Sequence, residues 1–170
     1  MTLARGSARG FTLVEFTIVA GLGALIVLSL STFYLNAQSM WIDSSVQAVT
    51  QRDATLFMER MEQVIGEADQ AVLNNPHQLS LLKREPPGAP VGTQIALIDW
   101  DGTTDHATIT TGMDGTPKFA FWPATGTLKA LQFRMTSADA RVVYLDSLRI
   151  NTPAGEPVYF STCFALFNKP

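Results

Sequence analysis

Four carboxylates in one stretch, Asp99, Asp101, Asp105 and Asp114, have the spacing that first suggests chemistry. Oxygen ligands at this density suit calcium, and Asp99-Trp100-Asp101-Gly102 begins as an oxygen-ligand loop does. The downstream Glu of an EF-hand is missing, and a strand ending in an Asp-Gly turn accounts for the same residues. No resident metal is therefore expected, with Asp99, Asp101 and Asp105 the first residues to consider for calcium. His77 and His106 have no His or Glu partner at metal-hydrolase spacing and read as ordinary surface histidines. Cys163 is the single cysteine. Neither an internal disulfide nor a Cys-based zinc site is available, and the apolar run from Tyr159 to Leu166 reads Cys163 as a buried small hydrophobe. Trp100, Phe119, Phe121 and Trp122 are able to stack on a ligand, although the alternation of Phe119 and Phe121 favours a core. No nucleophile elbow, phosphate loop or dinucleotide pattern occurs, so neither an enzyme nor a cofactor is expected.

The remaining chemistry-bearing residue is Glu15, a carboxylate at the start of an apolar run. Only Arg5, Arg9 and Glu15 of the 27 charged residues lie in the first 42 positions, and Phe16 to Ile42 has none. The other 24 occupy the 128 residues from Asp43 onward. The chain is 46% hydrophobic and 16% charged, against roughly 25% charged in an average soluble domain. With 170 residues, it has room for one ordinary domain. This distribution excludes disorder and a multi-span membrane protein. The acidic balance, with a pI of 5.3, excludes a basic nucleic-acid binder and leaves no direct nucleic-acid contact to expect. Phe16 to Leu35 makes roughly 30 Å of helix, enough to span a bilayer core. The basic residues ahead of it should stay in the cytoplasm, with everything after it outside. A carboxylate in such a segment costs about 2.5–3.5 kcal/mol at its centre and less near its end, so Glu15 calls for a compensating partner.

Gly10 followed by Phe11-Thr12-Leu13-Val14-Glu15 resembles the class III signal of type IV pilins and type II secretion pseudopilins. The match covers the leader, the cleavage junction and the whole hydrophobic helix. The resemblance implies that a prepilin peptidase cuts between Gly10 and Phe11 and methylates the new terminal amine of Phe11. It further implies that Glu15 pairs with the Phe11 amine of a neighbouring subunit during assembly. In a low dielectric an unpaired charge is heavily penalised, so such a pair would specify register as much as strength.

The elements that would position these residues divide the chain into four: 1–10 leader, 11–42 membrane and filament-core helix, 43–75 amphipathic second half of the same helix, and 76–170 a β-rich periplasmic head. Ile42, Val46, Val49, Phe57, Met61, Val64 or Ile65, Ala68 and Val72 recur at helical steps, with a gap at Asp53. Leu73-Asn74-Asn75-Pro76 reads as the helix stop. No proline stands at Thr32, where many major pilins carry one, although Gly21 and Gly23 are able to loosen a turn. Beyond His77 the period becomes two. Leu79 and Leu81 alternate, and strands are predicted at 94–98, 107–111, 118–122, 128–136, 142–150 and 158–167, separated by Asp-Gly, Pro and Gly turns. Short strands with tight turns imply an antiparallel sheet covered by the helix, an α+β fold.

Residues 51–64 are similar to the corresponding region of J-type minor pseudopilins and share the character of W-type minor pilins. The retained Glu15 argues against the K-type tip pseudopilin, and the lack of two C-terminal cysteines argues against the disulfide-looped major pilins. By resemblance the chain is a minor pseudopilin of a type II secretion pseudopilus, at or near its tip. A minor type IV pilin serving pilus assembly, adhesion or DNA uptake is the alternative. A membrane-anchored periplasmic enzyme is the reading from another class. The implied partners are the prepilin peptidase, other pilin or pseudopilin subunits and inner-membrane lipid.

Overall fold

Thr12 opens the first element, the α-helix α1 (Leu13–Gly66), 54 residues without a break. The computed structural model describes residues 12–83, 92–112, 117–137 and 140–167. The chain divides into two units at Ile42/Asp43.

In the first unit every described residue is solvent-exposed. It holds apolar side chains on all faces of α1, from Leu13 and Phe16 through Leu25 and Phe33 to Trp41. A helix that is apolar all round requires surroundings of its own polarity, and this is one helix long and apolar enough to cross a membrane. Gly21 and Gly23 lie within the uninterrupted helix. The segment's hydroxyls turn back on their own helix. Thr17 Oγ1 donates to the Leu13 carbonyl at 2.8 Å, Ser29 Oγ to Leu25 at 2.9 Å and Ser31 Oγ to Val27 at 2.8 Å. Thr32 Oγ1 lies 2.9 Å from the Ser29 carbonyl and 3.2 Å from that of Leu28.

The second unit contains the rest of α1 and eight strands: β1 (Gln70–Asn75), β2 (Gln78–Lys83), β3 (Thr93–Asp99), β4 (Ala107–Thr111), β5 (Pro117–Phe121), β6 (Thr127–Arg134), β7 (Val142–Asn151) and β8 (Pro157–Ala165). They form two antiparallel sheets, β1-β2-β3-β4-β5 and β6-β7-β8, each ordered as in the sequence. The fold is α+β, a long N-terminal helix with a sheet head, as the change of period predicts. The helix buries Ala54, Phe57, Met61, Val64 and Ile65 in one core. That core takes Leu79, Leu81, Ile98 and Ile109 from the first sheet and Leu131, Leu145, Leu148 and Ile150 from the second. Phe57 is its aromatic centre, stacked on Phe121 at 4.3 Å between centroids and beside Phe119 at 6.4 Å.

The helix stops nine residues short of its predicted end at residue 75. Gly66, with a poor helix propensity, is its last residue, and Asp69 N–H already donates to the Leu82 carbonyl at 3.0 Å. From Gln70 the period is two, so Ala71 is buried and Val72 exposed. A helical stripe would have put Ala68 and Val72 on one face. Asn75 therefore ends β1 and Pro76-His77 is the β1–β2 turn, not the end of a helix, and Asn75 Oδ1 accepts the His77 N–H at 2.8 Å. Gly66 also leaves room for Phe167, whose ring atom Cδ2 would lie 2.9 Å from a Cβ placed there.

Candidate functional site

Glu15 lies in the first turn of α1, within a reciprocal capping arrangement. Its Oε2 accepts from the backbone N–H and from Oγ1 of Thr12, both at 2.9 Å. Its own N–H donates to Thr12 Oγ1 at 3.3 Å. The helix N-terminus carries positive partial charge, which also favours a carboxylate there. Oε1 holds no hydrogen bond among the described residues. Gly10 and Phe11, the expected cleavage junction and methylation site, lie outside the described residues, as does the Phe11 end of the expected pair with Glu15. The Thr-x-x-Glu spacing was open to a sequence reading as a capping box, but the apolar run drew attention to the carboxylate alone.

Of the calcium candidates, Asp101 is spent on its own loop. Asp101 Oδ1 accepts from Thr103 N–H at 2.8 Å, Thr104 N–H at 2.7 Å and Thr104 Oγ1 at 2.8 Å. Three donors on the ionised form hold its pKa down to about 2. Asp99 Oδ1 accepts from Gln78 Nε2 at 3.0 Å, across the β2–β3 pair. Asp105 contributes to no grouped set, and among the described residues no three His, Cys, Asp or Glu side chains cluster as metal ligands. Asp114 lies outside the described residues.

Both histidines are more engaged than surface histidines. His77 Nδ1 is 2.7 Å from the Leu131 carbonyl and its ring meets Trp100 edge-on at 5.3 Å. With Phe133 N–H donating to the Pro76 carbonyl at 2.7 Å, this ties the β1–β2 turn to β6. His106 stacks on Trp122 at 3.9 Å. Trp100 is buried, its Nε1 donating to the Thr104 carbonyl at 2.8 Å, whereas Trp122 is 60% exposed. Cys163 is exposed rather than buried. The alternation that turns Phe164 inward sends its neighbour outward.

The gap at Asp53 in the helical stripe is occupied by polar contacts. Gln47, Thr50 and Asp53 follow one another at steps of three along α1. Gln47 Nε2 donates to Glu156 Oε2 at 3.1 Å, Thr50 Oγ1 is 3.0 Å from Thr125 Oγ1, and Asp53 Oδ2 accepts the Ala124 N–H at 2.8 Å. This seam fixes the helix to the β5–β6 and β7–β8 connections. Only the interruption of the apolar stripe hinted at it.

The long apolar N-terminal helix, packed through its second part on antiparallel sheets, resembles the pilin-like α+β fold. Compared in turn with family models, curated proteins and solved structures, the chain matches none of them.

Proposed function

We propose that this chain is a structural assembly subunit of a pilin-like filament, a minor pseudopilin of J-type character in a type II secretion pseudopilus. The observation that carries the reading is the pairing of an uncovered apolar helix with one carboxylate at its start. Among the described residues Glu15 Oε1 holds no hydrogen bond, and the amine released at Phe11 by cleavage after Gly10 is a cation of the right kind to meet it. The helix first sits in the inner membrane with the head in the periplasm. Its apolar surface then packs among the helices of neighbouring subunits as the filament grows. The peptidase acts on this chain, and the chain itself catalyses nothing. A minor type IV pilin would use the same N-terminus in the same way.

The decisive experiment is mass spectrometry of the mature protein from membranes. An N-methylated Phe11 is the expected N-terminus; an intact Met1, or cleavage at any other position, overturns the reading. Deletion of the chain, followed by comparison of exoprotein secretion with pilus-dependent motility, separates the two filament systems.

A further inference from the structure

Sheet edges invite the backbone of another chain, and folded proteins blunt them by shortness, charge, proline or a bulge. β5 is five residues long and begins on Pro117. β1 has six residues and a register shift between Leu73 and Asn75. β6 carries Lys129 and Arg134, with a register shift around Lys129. β8 is different. It runs nine residues, Pro157–Ala165, with no charged side chain and with proline only at its first position. The irregularity in its pairing falls on β7, where Asp146 and Ser147 stand opposite Ser161.

A groove of about 620 Å³ follows this edge. One wall is α1, with Thr55, Glu59 and Glu62, and the other is the unbroken run from Tyr159 to Phe164. Six consecutive strand residues point to both faces of a sheet, so a groove touching all of them follows the edge and not one face. The run extends about 20 Å, the length of an ordinary strand. Glu59 and Glu62 are exposed and three residues apart, which places them on one helix face. Among the described residues neither carboxylate has an ion pair or a hydrogen bond.

We propose that this groove docks an extended segment of another polypeptide, which adds to β8 as a fourth strand and carries Lys or Arg opposite Glu59 and Glu62. Main-chain hydrogen bonds to β8 would give the affinity, and the two carboxylates the choice of side chain. A second copy of β8 is a poor occupant because that strand has no cation to offer the glutamates. The inference rests on the head alone and not on the filament reading.

The test uses the full chain in detergent micelles and two synthetic eight-residue Thr/Val peptides, one with two Lys on one face and one with two Glu there. Fluorescence anisotropy should show the Lys peptide binding about tenfold tighter or more. Hydrogen exchange of the amides in Tyr159–Phe164 should slow when it binds. Glu59→Lys combined with Glu62→Lys, both at exposed positions, should reverse the preference. Failure of both peptides to bind, equal binding of the two, or binding that leaves these amides unprotected would overturn the proposal. So would light scattering that shows a dimer with the same amides already protected.

Discussion

The carboxylate of Asp53 accepts the backbone N–H of Ala124 at 2.8 Å, joining the C-terminal part of α1 to the connection between the two sheets. The Asp53 side chain is only 12% exposed, while Ala124, its partner, is on the surface. Asp53→Ala leaves the Ala124 N–H to bond to water at this exposed connection and should cost about 0.5–1.5 kcal/mol. Asp53→Asn, which keeps an acceptor, should cost less. Denaturation of the full chain in micelles, followed by tryptophan fluorescence, checks the order of the two variants.

Gly126, just before β6, has φ +101°, a conformation L side chains rarely adopt, and a Cβ there would collide with the carbonyl oxygen of Asn151. Gly155 has φ +85° but faces open space. Both alanine variants carry the cost of the left-handed conformation, about 1 kcal/mol. Gly126→Ala adds displacement of the β7 backbone and should have the lower melting temperature. Equal melting temperatures would show that β7 yields freely.

Asp101 supplies a pH dependence. Its folded-state pKa, about 2, lies below the ordinary 3.8. A depressed carboxylate pKa stabilises the fold above the unfolded value, and that contribution fades as pH falls from about 4 through 2. The Thr103 and Thr104 amide resonances should therefore move with a midpoint near 2. In Asp101→Asn, which retains Oδ1 as an acceptor without the charge, that titration should vanish.

Thr12 and Glu15 share one cap, so their variants should separate two roles. Thr12→Ala removes a cap worth about 1 kcal/mol and should speed hydrogen exchange in the first turn of α1. Glu15→Ala should leave leader cleavage largely intact while impairing filament incorporation. Unchanged incorporation would refute the inter-subunit charge pair and leave Glu15 as a capping residue.

Most of this architecture was readable from period alone. The alternation of small strands placed β4 at its observed bounds and β7 within one residue, since each strand's own sequence decides which face is wet. The early end of α1 was less readable. Ala68 and Val72 satisfy a helical period, and Ala71 and Leu73 satisfy a strand period, over a stretch too short to arbitrate. Tertiary bonds such as Asp69 N–H to the Leu82 carbonyl decide the choice. The division into two sheets was equally hidden, because it depends on which strand ends meet across the molecule. At the site, Glu15 was prominent as a charge where none belongs. The Gln47–Thr50–Asp53 seam was not, because polar residues on a helix look the same in a sequence whether they face water or a loop.

The hydroxyls of Thr17, Ser29, Ser31 and Thr32 all donate to carbonyls of the turn behind them. Those four side chains need nothing from whatever lies alongside. The segment can exchange one set of apolar neighbours for another without any of these bonds being broken or remade. Such a helix is portable: over its apolar stretch the choice of neighbour is left largely to shape, with directional demands confined to the Glu15 carboxylate at its first turn and to polar groups such as Tyr34, Asn36 and Gln38 further along.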